Sequence, residues 1–551
     1  MSRVLVVLTI AWLVAPATGH AQSPAAPALA AALADLAGTD AGRREAAVTT
    51  LGKTGDPKWL AFLAALREGS VYARKPGGRL EIVVGGTKST RGDQDVIEIF
   101  AAYDRTPLGT VPLGDLTEVA ADRVLRLVIK PFLDADETRV QLRDPDPAVR
   151  QGAAVKLGNQ ADAVAVPVVE EALQKEPYRW VRQALAEALA MIRLAHGDGS
   201  ARVAAATALG NLHAQNALPA LRRVAADPGA GAPERAAAAT AIRQIERWNL
   251  LGTSLETLFQ GASLASILLL MALGLAIVFG LMGVINMAHG ELMALGAYST
   301  FVVQNWFRAA APQWLDAYFM VALPISFLVA AAVGVILERG VIRRLYGRPL
   351  ETLLLTWGAS LIIQQALRLW FGAANVDVAS PRWLSGGLPV MVGLTLPWNR
   401  LFIIGLAAVC VAVMYWLLFR TDAGLRIRAV TQNRAMSACL GVRAGAVDAL
   451  TFAIGAGLAG LAGSALTQIG NVGPSLGQNY IVDSFMVVVT GGVGKLAGTL
   501  LAAAGIGELN KVIEPALGAV FAKVAILVAV MLFLQRRPAG LFAAKGRNAE
   551  A

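Results

Sequence analysis

The sequence predicts a mainly α-helical protein in two parts. A water-soluble array of helix pairs with a small β insertion comes first, and a polytopic α-helical membrane domain follows. Three observations predict it. Of 551 residues 56% are hydrophobic, yet apolar runs long enough to cross a bilayer begin only after about Leu255. Before that point, Ala/Leu helical periodicity is broken by Asp-Pro and Gly-Asp punctuation. The chain also opens on a short apolar core behind one arginine.

Residues 1–21 read as a signal peptide. Arg3 precedes an apolar core from Val4 to Val14, and small residues at Gly19 and Ala21 set cleavage after Ala21. That core is too short to cross a hydrocarbon layer of about 30 Å. An uncleaved anchor is the alternative, and either way the next part is exported to the periplasm. Residues 27–248 form that part. Arg43–Lys53 (RREAAVTTLGK), Val149–Asn159 (VRQGAAVKLGN) and Arg202–Asn211 (RVAAATALGN) resemble one another, each followed by a second apolar helix. Val181–Ala190 is a fourth copy without the glycine, its partner helix missing or very short. Helix pairs at such intervals make an α-solenoid, and these are similar to HEAT-like repeats. Between about 71 and 113 the texture changes to LEIVVGG and DVIEIFAAY, a β insertion. A solenoid face either binds a protein or serves as a stabilising cap.

Residues 255–545 form the membrane domain. Apolar runs predict spans near 257–283, 286–305, 318–338, 351–371, 401–419, 447–469, 482–504 and 517–535, with 496–514 as a possible separate returning helix. Arg339, Arg343, Arg344 and Arg348, the five arginines of 420–443, and Arg536, Arg537, Lys545 and Arg547 mark one side of the membrane. The loops of the other side hold only Arg308, Arg382 and Arg400. The basic side is cytoplasmic, so the first span enters from outside, as an exported N-terminal domain requires. Eight spans from that start leave the tail outside, against its charge. The count must be odd, and the Gly491–Gly494 break is the place for the correction.

The loop 420–443 (RTDAGLRIRAVTQNRAMSACLGVR) is helix-tolerant from Ala429 to Leu440 and closes at Gly441. It reads as a short cytoplasmic hairpin offered to a soluble partner. Glycine-rich interruptions occur at Phe279–Gly290 (FGLMGVINMAHG) and Thr490–Gly498 (TGGVGKLAG). Broken helices in both halves of a membrane protein point to a solute pathway, or to close packing of small residues. Candidates for lining that pathway are Asn286, His289, Glu291, Gln364, Gln365, Gly491, Gly492 and Gly494. His289 and Glu291 are expected near the partly solvated cytoplasmic ends of the first spans, and Gln364 and Gln365 deeper, where amides donate to and accept from a neutral polar solute.

The same residues exclude other chemistry. A net charge of +10 clusters beside apolar spans and reports topology, not nucleic acid. Cys410 and Cys439 make no disulfide framework, and with four scattered histidines no metal set. Gly494-Lys495 has no Gly five residues before it and no Ser/Thr after it, so it is no phosphate loop. His289 and Glu291 lack the second His of a zinc hydrolase motif. No catalytic residue and no cofactor is expected.

LGLAIVFGLMGVINMAHGELMALGAY (273–298), the 420–442 loop, SFMVVVTGGVGKLAGTL (484–500) and RRPAGLF (536–542) resemble the membrane permease of branched-chain amino acid-type ABC importers. An exported repeat domain together with NVGPSLGQNYIVDSFMVVV (471–489) resembles the B-type permease subunit of urea importers. The resemblance implies a bacterial inner-membrane permease without enzymatic activity. Its partners would be a second homologous permease, two cytoplasmic ABC ATPases and a periplasmic urea-binding protein. It also implies that Gly424, Arg426, Arg428, Ala429, Arg434 and Gly441 belong to the ATPase-coupling segment. Lys495 departs from the family's usual glycine-rich segment. A permease for branched-chain amino acids or short-chain amides is the alternative, and a membrane-tethered periplasmic scaffold is a reading of a different class.

Overall fold

The computed structural model describes residues 26–76, 80–91, 94–391 and 393–542. The expected signal peptide and the basic residues Lys545 and Arg547 lie outside them. The chain divides into two compact units, 1–247 and 248–551.

The first unit begins with α1 (Ala26–Leu36), α2 (Ala41–Lys53) and α3 (Pro57–Arg67). An antiparallel sheet follows, built from β1 (Val71–Arg74), β2 (Glu81–Arg91), β3 (Gln94–Ala101), β4 (Pro107–Pro112) and β5 (Thr117–Glu118), in the order β4-β3-β2-β1-β5. It is the β insertion, running slightly beyond its expected end. Then come α4 (Arg123–Gln141), α5 (Pro147–Gln160), α6 (Val166–Lys175), α7 (Arg179–His196), α8 (Gly199–Asn211), α9 (Leu218–Ala226) and the first turns of α10 (Ala232–Met282).

The Asp-Pro punctuation is capping chemistry. Asp56 and Asp146 accept hydrogen bonds from the amides of Lys58 and Ala148, and the following proline occupies the first turn of α3 and α5. The recurring glycine of the LGK and LGN segments has a packing reason. A Cβ on Gly52 would fall 2.5 Å from the Phe132 ring, one on Gly158 would come 2.8 Å from the Ala188 Cα, and one on Gly210 would come 3.0 Å from the Ala241 Cα. Each glycine lets a later helix seat on its own. α7, the copy without glycine, supplies Ala188 and is the neighbour on which Gly158 rests.

A buried ion pair ties α5 to the start of α7. Arg150 donates through Nε (2.7 Å) and Nη2 (2.8 Å) to the two carboxylate oxygens of Glu176, whose side chain is only 4% exposed. The Arg150 hydrogen bonds, chiefly, hold the Glu176 carboxyl below the usual carboxylate range. The pair's stabilisation is therefore complete above that range and is lost as pH falls through the lowered value. Arg150→Met should strand the carboxylate and loosen the α5–α7 contact at neutral pH. Hydrogen exchange across α5–α7, corrected for intrinsic rates, should show the loss at pH 7, and protonation of Glu176 should narrow it in acid.

The second unit holds the rest of α10, then α11 (His289–Ala310), α12 (Tyr318–Gly340), α13 (Pro349–Phe371), a β-hairpin of β6 (Gly387–Met391) and β7 (Leu394–Pro397), and α14 (Trp398–Arg420). Short α15 (Asp422–Gln432) and α16 (Arg434–Cys439) lead to α17 (Ala444–Leu466), α18 (Leu476–Gly491), α19 (Leu496–Leu517) and α20 (Ala519–Arg536). The expected boundary near 248–255 falls inside the continuous helix α10.

Six described helices are long and apolar enough to cross a membrane: α10, α12, α14, α17, α19 and α20. α11 and α13 have the length but carry more polar residues, and α18 has only 16 residues. The expected single span 482–504 is in fact two helices. Gly492 (φ +96°) and Gly494 (φ +78°) turn the chain between α18 and α19, and Leu541 of the tail donates to the Thr490 carbonyl (2.8 Å). The separate returning helix thus exists as α19. Among the described residues the second unit holds nine helices of 16 or more residues, six of them long and apolar enough to cross a membrane.

At the core, α17 lies between α11 and α12 with backbones nearly touching. A Cβ on Gly296 would overlap Gly460, one on Gly460 would overlap the Ser326 carbonyl, and one on Gly463 the Met293 carbonyl. Without a hydrophobic force between helices in lipid, such small-residue contact is the packing force. Outward faces of α13, α14 and α20 expose Leu354, Ile362, Val409, Trp416, Phe521 and Leu532. Trp306, Trp314, Trp370, Trp383 and Trp398 are also exposed, all in or beside the loops poor in arginine. They suit a tryptophan belt at that membrane surface.

Candidate functional site

α10 ends at Met282, Gly283 turns the backbone at φ +69°, and residues 283–288 run without helix until α11 starts at His289. Breaking a helix at membrane depth frees backbone groups, which the surrounding protein must satisfy. α13 does so. Thr352, Thr356, Ser360 and Gln364 recur every fourth residue and are all buried, forming one polar stripe. Thr356 Oγ1 accepts from the Met287 amide (3.1 Å) and lies 3.3 Å from the Ile285 carbonyl. Ser360 Oγ donates to Glu291 Oε1 (3.2 Å). One turn further, Gln364 Oε1 accepts from Gln478 Nε2 of α18 (3.3 Å).

The first turn of α11 is wholly buried. His289 Nε2 donates to the Met271 carbonyl (3.0 Å), which leaves Nδ1 as an acceptor. Asn286 Oδ1 accepts from the Ala288 amide (3.1 Å). Asn286 Nδ2, His289 Nδ1 and Glu291 Oε2 are buried without a hydrogen-bond partner in the chain. One donor and two acceptors in this state, beside a broken helix, is an arrangement suited to a small polar solute.

The hairpin after α14 is the second candidate. Gly424 follows Thr421, which caps α15 by accepting from the Gly424 amide (3.2 Å). A Cβ on Gly424 would overlap the carbonyls of Leu417 and Leu418, so only glycine allows this tight turn off α14. The expected single helical run over 429–440 is divided at Asn433. Its amide donates to the Ala429 carbonyl (3.0 Å) and its side chain caps α16 by accepting from the Met436 amide (2.9 Å). Gly441, at φ +82°, ends the second helix. Arg426, Arg428, Leu425, Met436 and Leu440 are exposed, with Arg428 above the Phe419 ring (5.3 Å). The surface mixes basic and large apolar groups.

Residues 257–535 match the family model described as branched-chain amino acid transport system / permease component, a stretch that contains both the broken helix and the hairpin. The chain belongs to that family. Like its relatives, it is a transport permease component and not an enzyme. The permease is 28% identical over 293 residues to the high-affinity branched-chain amino acid transport system permease protein BraD of Pseudomonas aeruginosa, covering 52% of this chain and 95% of BraD. It is 28% identical over 300 residues to LivH of Escherichia coli K12, a permease of the same description, covering 52% and 94%. It is 26% identical over 266 residues to the ribose import permease protein RbsC of the same organism, covering 47% and 77%. Residues 136–190 match a model of HEAT repeats. No solved structure matches.

Within this permease the expected site residues divide. Asn286, His289, Glu291 and Gln364 lie along the broken helix and the α13 stripe. Gln365 does not belong with them: one residue turns a helix by about 100°, and it is exposed on the other face. His289 and Glu291 are not partly solvated but 0% and 1% exposed, because α11 starts inside the packed bundle. Gly491 faces Gly498, Gly492 faces the Phe542 carbonyl and Gly494 lies against Gly280, all close backbone packing. Thr356, Ser360 and Gln478 were missed. The four-residue recurrence of Thr352, Thr356, Ser360 and Gln364 was the available signal for Thr356 and Ser360.

Proposed function

We propose that this permease forms half of a membrane pathway for urea in an ATP-driven importer. The carrying observation is the buried trio of Asn286 Nδ2, His289 Nδ1 and Glu291 Oε2 without partners in the chain. A neutral amide offers both N–H donors and a carbonyl acceptor, which matches them. The likeness of 471–489 and of the N-terminal repeat domain to urea-importer B subunits supports the same reading. Gln478, which bonds Gln364, lies in that stretch.

In this reading the protein sits in the bacterial inner membrane with residues 27–248 in the periplasm. It pairs with a second permease, receives urea from a periplasmic binding protein, and offers the 420–443 hairpin to two cytoplasmic ATPases. Branched-chain amino acids are the second reading, favoured by what BraD and LivH are named for. Uptake of radiolabelled urea and leucine by cells expressing the complete importer separates the two. ATP-dependent urea uptake that leucine does not inhibit is expected. Leucine uptake without urea uptake would sink the urea reading.

A further inference from the structure

Arg434 differs from the other arginines of the hairpin. Its Nη2 sits 2.5 Å from Asp448 Oδ2 on the second turn of α17, and the Asp448 side chain is only 4% exposed. Its guanidinium also lies 4.9 Å over the ring of Tyr346, in the loop between α12 and α13. Tyr346 in turn donates its hydroxyl to Oε1 of Glu338 (3.1 Å), in the last turn of α12 and fully buried. Arg343 of the same loop lies so close to α17 that a Cβ on Gly445 would overlap its guanidinium.

We propose that Arg434 is a latch and not a docking group: with Asp448, Tyr346 and Glu338 it fastens α16 to α17 and α12 and delivers the movement of the hairpin to them. The proposal rests on reading 420–443 as the segment the ATPases grip. Three physical features carry it. The contact joins a buried carboxylate to a half-exposed guanidinium, and such charge-assisted hydrogen bonds are shorter and stronger than neutral ones. The latch has two arms, so α16 cannot shift against α17 without also shifting against α12. Both helices are then locked through glycine contacts: Gly334 of α12 on Ala456, Gly460 of α17 on Ser326, and Gly455 of α17 on Gly274 beside His289. Displacement of α16 therefore reaches the broken helix through packed backbone, which shifts as blocks and does not deform continuously. Asp448, Tyr346 and Glu338 are positioning residues in this proposal, acting through Arg434 and the helices it joins.

The test uses the full chain with Cys410→Ser and Cys439→Ser, and Met287→Cys as a reporter in the helix break, assembled with its partner permease and ATPases in proteoliposomes. Maleimide labelling of residue 287 is read with and without ATP, alongside the amount of ATPase retained. In the parent, ATP should change the labelling rate about fivefold or more. Tyr346→Phe keeps the ring under the guanidinium and removes only the hydroxyl to Glu338. It and Arg434→Gln should retain the ATPases and hydrolyse ATP, yet lose most of that change. Arg434→Gln with Asp448→Asn should do no worse than Arg434→Gln alone, because one contact can be lost only once. Variants that respond to ATP as the parent does overturn the latch. Responses that fall only in step with ATPase retention also overturn it, by making Arg434 a docking group. A parent that fails to hold the ATPases, or ignores ATP, brings down the coupling reading instead.

Discussion

Gly463→Leu should remove nearly all folded protein from the membrane, while Gly405→Leu should leave it near the parental level. Both glycines lie within long apolar helices, so hydropathy does not separate them. Their surroundings do. A Cβ at 463 would overlap the Met293 carbonyl and come 3.0 Å from the Ala297 amide, and both obstacles are backbone atoms of α11. No rotamer change relieves such a clash, so α11 and α17 would have to separate. Overfilling a packed core costs about 1–3 kcal/mol even where side chains can yield. Separating the helices also breaks the buried bond from Thr300 Oγ1 to Ser464 Oγ (2.8 Å) and the neighbouring contact of Gly296 with Gly460. Against a typical stability of about 5–15 kcal/mol, that is enough to unfold the bundle. Gly405 on α14 is exposed, and an added Cβ meets nothing within 4 Å. Monodisperse protein recovered after detergent extraction, and its thermal midpoint, are the readouts. Equal behaviour of the two variants would mean that the α11–α17 approach is not as close as described.

These two glycines also mark how far the sequence could be read. Spans and helix punctuation are local properties, so the caps at Asp56 and Asp146 and the helix end at Gly441 were legible without a structure. The interruption at Gly491–Gly494 was visible, and splitting 482–504 there follows from two positive-φ glycines. What one residue meets across the bundle is not local. Nothing in the string around Gly463 names Met293, and nothing near Arg434 names Asp448 or Tyr346, so nothing set that arginine apart from Arg426 and Arg428. Gln364 and Gln365 looked equivalent because the direction a helix faces is fixed by its neighbours. The α13 stripe was the exception: a polar group every fourth residue in an apolar helix is a pattern, and Ser360 and Thr356 could have been found from it.

Arg426→Glu with Arg428→Glu should release the ATPases and lower ATP-driven uptake about a hundredfold, with the permease still folded. Arg426 is exposed, and Arg428 stacks on Phe419 (5.3 Å) and makes a 3.4 Å contact from Nε to the Gly424 carbonyl. An exposed cation–π contact contributes about 0.5–1 kcal/mol, too little to decide folding. The effect therefore falls on the partner. Under the proposed docking role, exposed Leu425, Met436 and Leu440 would be the apolar anchors, and the arginines would select the surface allowed onto them. Reversing two charges opposite a complementary face opposes like charges, at a cost of several kcal/mol, and each 1.4 kcal/mol is a factor of ten in binding. Gly424 and Asn433, which shape the hairpin, are untouched by the change, so a lost partner cannot be blamed on a lost turn. The thermal midpoint of the variant should match the parent while ATPase retention collapses. Uptake that persists in the doubly reversed protein would show that the ATPases hold this permease elsewhere.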